Sequence, residues 1–443
     1  MTFLIAAVFL ACLVLLASLS ARSPAAAVAL AAFFFPYENY HKLGVTITSN
    51  ELLILALSSG LLVRLISGRI SVRWVMKVCV LFLPFCLSMC TSALLAASFP
   101  DAVKEVLRWF SFFAVLAAAA ASIASVTDAR RLSVWLVAAS VPASVYGIFQ
   151  SVLGLPSAAF ELEPHSRIDS LFCLTTGWHV RAHSFFNQAN SFACYLVIVL
   201  PLALFLAVRS RTRLKKLAAA CAVALNLAAL MLTFSRASWP LALLAIIVFF
   251  LMARSRTGAP NPHRRLRLVA PSLIVLVLAL VGALFFRGAD VSALVSGHSG
   301  VQRLSLYRAG LSMIAKRPFF GYGPGNYVQA ATNVKMNQDE ERIKRAHLHN
   351  LYLQVALETG IVGLCAFLFF VVSVIWIVCR GVGAARYGEP SVLAASLCVS
   401  ACAFFAYNMI DIYRYHGVHL VAAAIMGAGI AMTRFVRPGE EAA

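Results

Sequence analysis

Acidic side chains are scarce in this chain, 17 Asp and Glu against 37 Lys and Arg, and charged residues of either sign make up only 12% of its 443 residues. A water-soluble globule carries about twice that share, so the class is excluded, and the 61% hydrophobic content points to lipid as the main solvent. Cys-x-x-Cys pairs are missing, and the eleven cysteines lie almost entirely in apolar runs, with Cys173 the clearest exception. That leaves no sign of a disulfide framework or a zinc ribbon. No Asp-x-Asp is present to hold a catalytic metal; the nearest substitute is Glu161-Leu-Glu163. Repeats of fixed period are lacking too, and low complexity is confined to alanine runs such as Ala117–Ala121. The first apolar segment has neither a basic leader nor a small-residue cleavage site and is expected to be a retained helix.

What is abundant is apolar length. About twenty such residues cross a bilayer as a helix, because backbone polar groups in lipid must be bonded within the segment. Segments 51–67, 78–98, 105–126, 132–153, 187–208, 217–234, 239–253, 268–286, 361–379, 391–412 and 418–433 qualify, and 2–36 adds one or two more around the break at Arg22-Ser-Pro24. The expectation is an all-α polytopic membrane protein of about twelve spans, one membrane domain over 1–443. The net charge of +20 is concentrated in short loops, at Arg64–Lys77, Arg209–Lys216 and Arg254–Arg267. These loops are assigned to the cytoplasm, and the charge then reports topology, not nucleic acid. Alternation puts loops 154–186 and 287–360 outside. The second is itself basic, but loops longer than about 60 residues escape the orientation rule. Its positive excess is read as a site for an anionic ligand.

Chemistry-bearing residues concentrate at that outer face. In 303–317, Arg303, Tyr307, Gly310 and Ile314 share a helical face, and Arg308 lies nearby. The pattern fits a helix lying on the membrane or the bundle, with its arginines serving either a ligand or lipid headgroups. Gly321-Tyr-Gly-Pro-Gly325 lacks the lysine of a phosphate loop and reads as a tight turn. If a helix already begins at His347, then His347, Asn350, Gln354 and Glu358 form a polar stripe and His349 points away; if it begins later, spacing does not choose between the histidines. Either is a candidate general base or a headgroup contact. Arg236 sits between two apolar spans too close for a real loop, where an arginine is costly unless paired, solvated or snorkelling. Arg181 and His183 precede another span at the same level, with Asn187, Gln188 and Asn190 able to cap or line its start. Three arginines at one depth suit phosphate oxygens, and so a diphosphate.

Four strings taken together, RAHSFFNQANSFA from Arg181, TFSRASWPLAL from Thr233, RLSLYRAGLSMIAKRPFFGYGPGNY from Arg303 and HNLYLQVALETGIVGL from His349, resemble the O-antigen ligase family, which also holds Wzy-type O-antigen and exopolysaccharide polymerases. The resemblance covers about residues 180–365. It implies a GT-C-like glycosyltransferase of the bacterial inner membrane, with its active site facing the periplasm. The donor would be a glycan on undecaprenyl diphosphate and the acceptor a hydroxyl of lipid A–core; in a polymerase the acceptor would be a second lipid-linked repeat. By motif position Arg181, Arg236 and Arg303 would bind the diphosphate and His349 would activate the acceptor, with His347, Asn350, Arg308 and His183 as auxiliaries. No cofactor, metal or nucleic acid is implied, and the transfer is expected to be metal-independent and inverting. A transporter, the competing class, would show inverted repeats and charges near the midplane of broken helices.

Overall fold

The structure is a computed structural model that describes residues 14–37, 40–43, 45–153, 181–186, 188–254, 298–332, 347–384, 388–412 and 417–435. Predicted span 268–286 and most of loop 154–186 lie outside these. In chain order the elements are α1 (Pro24–Phe34), β1 (Tyr40–Leu43), β2 (Val45–Thr48), α2 (Ser49–Ile66), α3 (Val72–Leu94), α4 (Phe99–Ser122), α5 (Val126–Leu153), α6 (Ala189–Arg209), α7 (Arg213–Leu232), α8 (Ser238–Arg254), α9 (His298–Lys316), α10 (Tyr327–Thr332), α11 (Leu351–Ala384), α12 (Glu389–Tyr407) and α13 (Val418–Met432). Among the described residues eight helices are long and apolar enough to cross a membrane, and α1, α8 and α13 are shorter apolar helices.

The all-helical expectation stands, with two local refinements. β1 and β2 form a small antiparallel hairpin, Tyr40 opposite Thr48 and Leu43 opposite Val45. It runs straight into α2, where Thr48 and Glu51 bond each other's backbone in a capping box. Helix α4 also starts at Phe99, six residues before the predicted span, because Pro100 and Asp101 suit a first helical turn. Asp101, Lys104, Glu105 and Arg108 in its first turns masked that start in a count of apolar residues. Glu105 is buried and pairs with Arg108 one turn on, so the two charges enter the bundle as a neutral unit.

Helix α6 is the axis of the bundle: 89% of its apolar window is buried, against 28% for α2, whose Leu55, Leu62 and Val63 face outward. A helix apolar all round belongs inside, and one with a bare apolar face belongs against lipid. Close packing comes from small residues. A Cβ on Gly427 of α13 would stand 2.5 Å from the Leu116 carbonyl oxygen and 2.6 Å from Ala119 Cβ, so the alanine run of α4 is what lets α13 approach.

The two ends of the bundle differ. At one, Arg434 bonds the carbonyls of Ala120 and Ile123, Arg130 pairs with Glu389 at 2.8 Å, and the basic loop between α6 and α7 emerges. The other gathers the polar motifs. There α11 breaks at Gly360 (φ 67°), which divides a nine-residue approach from the spanning part. The break frees backbone groups, and the glycine-rich turn takes them up: Tyr322 N donates to Leu357 O at 3.0 Å, Gly323 N to Glu358 O at 2.9 Å, and Ile361 N to Pro318 O at 2.7 Å. Ser92 Oγ bonds both Phe320 O and Glu358 O. The turn at 321–325 is therefore a structural clasp on a broken helix.

A Cβ on Gly360 would lie 2.2 Å from the Phe319 carbonyl in a backbone conformation that L side chains rarely adopt. Gly360→Ala is expected to cost more than ~1 kcal/mol and to lower the thermal unfolding midpoint in detergent. Gly383→Ala, where nothing lies within 4 Å, should not.

Candidate functional site

Three of the predicted motifs form three adjoining loops at the polar end. The segment 181–186 is pinned to α5 and α7. Ala182 N donates to Leu232 O, Gln150 Oε1 accepts from His183 N and Ser184 N, and Ser184 Oγ donates to Ala143 O. His183 is buried, with Nδ1 2.9 Å from Phe186 O and Nε2 3.0 Å from Gln150 Nε2. A carbonyl accepts only, so Nδ1 carries the proton and Nε2 accepts from the amide. Both ring nitrogens thus serve to hold the loop.

Among the described residues Arg181 donates from Nε to Thr233 O at 2.8 Å and from Nη2 to Asn190 Oδ1 at 3.1 Å. The first sets the guanidinium on the carbonyl end of α7, where a cation is favoured. Arg236 stands exposed in the next turn, between α7 and α8. That turn is anchored by Ser238 Oγ to Ser235 O and by Ser235 Oγ, 3.1 Å from the Tyr407 hydroxyl at the end of α12.

The histidine loop docks on the turn that follows α12. Helix α11 begins at Leu351, not at His347, and Asn350 caps it by accepting from Tyr352 N and Leu353 N at 3.0 and 3.1 Å. Asn350 Nδ2 donates to Met409 O, and Leu351 N to Asn408 O. With no helix at 347–349, the polar-stripe preference for His347 loses its basis. Gln354 and Glu358 of that stripe bond each other at 2.7 Å inside the protein, and Gln354 Oε1 accepts from Leu348 N. Both histidines converge on one carboxylate that spacing did not single out: Asp411 Oδ1 lies 2.9 Å from His349 Nδ1 and 3.2 Å from His347 Nε2. Ile412 N also donates to Oδ1, and Asn190 Nδ2 donates to Oδ2 at 3.3 Å.

A continuous path results: Thr233 carbonyl, Arg181, Asn190, Asp411, then His349 and His347. Four segments of the chain supply it, around 181–190, 233, 347–349 and 411. Helix α9 lies alongside. A Cβ on Gly310 would meet the Leu348 side chain at 2.8 Å, and the Tyr307 hydroxyl is 3.5 Å from His349 O. Arg303 is on α9 one turn before Tyr307, and Arg308 is exposed. The structure thus joins Arg181, His347 and His349 in one network, sets Arg236 in a loop bonded to it, and places Arg303 on a helix packed against it.

Backbone strain marks the same three loops. Among the described residues the non-glycine residues of positive φ are Ser184 (54°), Phe234 (49°) and His349 (49°), one per loop. Such conformations cost on the order of 1–3 kcal/mol and gather where geometry serves function.

Asp411 is only 3% exposed at its side chain, whereas His347 and His349 are 29% and 28% exposed. Burial by itself would raise the Asp411 carboxyl. The hydrogen bonds from both histidines and their charge when protonated outweigh it and hold the group well below the usual carboxylate range. With its Nδ1 proton on Asp411, a neutral His349 presents Nε2 as a proton acceptor, and the carboxylate stabilises the imidazolium that forms. The sequence pointed to every member of this set except the carboxylate: Asp411 is a lone acid at the end of an apolar helix, 62 residues from His349. His347, His349 and Asp411 are also a donor set able to hold a metal ion.

The fold and the site define a class first: a polytopic helical membrane protein with a strained polar site at one end of the bundle. Residues 221–368, about a third of the chain, match the family model described as O-Antigen ligase. Arg236, Arg303, His347 and His349 fall inside the matched stretch; Arg181, Asn190 and Asp411 fall outside it. No curated protein matches the chain.

Asp411→Asn is expected to cost about 1.5–3 kcal/mol, since it replaces hydrogen bonds to a charged acceptor by bonds to a neutral one. In the unfolded chain this carboxyl titrates near pH 4. A lowered folded value means that its contribution is complete above that pH and is lost as pH falls through the folded value. The stability gap between wild type and Asp411→Asn, read as thermal midpoints in detergent, should be widest above about pH 5 and narrow below about pH 4. A gap that still widens as the pH falls below about 4 contradicts the assignment.

Proposed function

We propose that the protein is an O-antigen ligase, a GT-C-like glycosyltransferase of the bacterial inner membrane. It moves glycan from undecaprenyl diphosphate to a hydroxyl of lipid A–core. The observation that carries this reading is the bonded path from Arg181 through Asn190 and Asp411 to His349, which ties an anion-binding group to a base.

The chemistry needs only these residue types. Polyprenyl diphosphate is already a good leaving group, so what remains is to stabilise its departing charge and to accept a proton. His349 Nε2 takes the proton of the acceptor hydroxyl as its oxygen attacks the anomeric carbon. The bond from that carbon to the diphosphate breaks, its electron pair leaves with the diphosphate oxygen, and Arg181, Arg236 and Arg303 stabilise the negative charge there. A single displacement inverts the anomeric centre and uses no metal. Asp411 and Asn190 hold the imidazole and Arg181 in register, while His347 shares the carboxylate.

The orientation follows from charge. The basic end, with Arg209–Lys216, faces the cytoplasm, and the end that carries the site faces the periplasm. The whole chain is one membrane domain of about twelve spans, with 154–186 and 287–360 on the periplasmic side.

Purified protein in detergent with lipid-linked glycan and lipid A–core provides the test. Arg236→Ala, Arg303→Ala and His349→Ala should each lower transfer by about a hundredfold or more while insertion is unchanged. Excess EDTA should leave the wild type active; loss that a divalent ion restores overturns the metal-free mechanism. Activity kept in His349→Ala but lost in His347→Ala moves the base to His347. In cells, loss of a ligase leaves long lipid-linked polymer, whereas an accumulation of single repeats identifies a polymerase.

A further inference from the structure

The three atoms that meet at Asp411 have a second chemical competence. One ligand atom from each of His347, His349 and Asp411 lies within 4.8 Å of the other two, and Asp411 Oδ1 stands 3.2 Å from His347 Nε2 and 2.9 Å from His349 Nδ1. A tetrahedral ion bound to nitrogen and oxygen at about 2.0–2.2 Å holds neighbouring donors roughly 3.3 Å apart. Both His–Asp spacings are already close to that. The two rings precede the first turn of α11 and are free of helical geometry, so a modest rotation brings the third spacing into line.

The surroundings match those of an open site. The carboxylate is buried and each imidazole is more than a quarter exposed, which leaves the outer side for a water as the fourth ligand. Asn190 Nδ2 holds the other carboxylate oxygen, and Ile412 N steadies Oδ1, the outer support that ligating carboxylates require. Two imidazoles and one carboxylate favour a zinc-class ion over magnesium or calcium, which take oxygen donors.

We propose that His347, His349 and Asp411 bind a single zinc-class divalent ion, and that occupation switches the enzyme off. The inhibition rests on the role given to His349 above; the binding does not. An ion on Nδ1 displaces the proton from that nitrogen, and in a neutral ring the proton must then sit on Nε2. Nε2 changes from acceptor to donor and can no longer take the proton of a hydroxyl. The same ion withdraws Asp411 from the histidine it supports.

Full-length protein in detergent, stripped with EDTA and desalted, is titrated with cobalt(II) as a spectroscopic probe. One equivalent should develop the visible absorption of a tetrahedral ion, displaced by zinc and unaffected by magnesium. His347→Gln and Asp411→Asn should each abolish it, the first guarding against a folding defect in the second. With one equivalent of zinc, transfer should fall by at least about tenfold and return with EDTA. No tetrahedral spectrum in the wild type, or one kept in both variants, overturns the site. Cobalt or zinc bound at His347 and Asp411 with transfer unchanged overturns the inhibition. If the metal-free protein transfers no glycan at all, the transferase reading fails by itself, and the cobalt titration still decides the site.

Discussion

A carboxylate nearly excluded from water has to receive its hydrogen bonds from protein, and Asp411 imposes that requirement on this fold. Four donors answer it: His347, His349, Asn190 and the backbone of Ile412. Each comes with a condition of its own. Asn190 must sit in the first turn of α6, and the turn after α12 must present its carbonyls to Asn350 and Leu351. His349 must accept a left-handed backbone conformation. An uncompensated buried charge costs several kcal/mol, so α6, the histidine loop and the end of α12 are locked together around one side chain.

The same accounting explains the broken helix beside it. A chain entering lipid cannot leave backbone groups unpaired, yet α11 is kinked between its first nine residues and its spanning part. Gly360 takes the change of direction, and the turn 318–326 supplies the bonds that the helix gives up. Helix α9, which carries Arg303, leads into that turn and packs through Gly310 on Leu348. Strain in the loops is thus held by satisfied hydrogen bonds around them, the condition under which strained conformations persist.

Arg181 extends the network from the histidines to the loop of Arg236. One arginine bond reaches the carbonyl end of α7 and another reaches Asn190, so any shift of α7 against α6 is felt at Asp411. The groups that the proposed reaction would use for anion binding and for proton transfer are thus joined by hydrogen bonds.

Much was legible in the linear chain because hydrophobic length and charge scarcity act locally. They determined a helical membrane bundle, its basic end, and an opposite polar face where Arg181, Arg236, Arg303 and the two histidines would lie. Local pattern misjudged what depends on neighbours. The charged first turns of α4 were missed because Glu105 and Arg108 neutralise each other only once folded, and the hairpin before α2 carries no spanning signal. The choice between His347 and His349 was posed as a question of helical facing, which lapsed once α11 proved to start at Leu351. Asp411 was beyond reach for a plain reason. A lone acid at the end of an apolar helix has no period and no motif, and its meaning lies in hydrogen bonds that reach back 62 residues to His349 and 221 to Asn190. Residue chemistry and membrane solvation were decided by sequence; which atoms meet was decided only by packing, because hydrogen bonds are made across space and not along the chain.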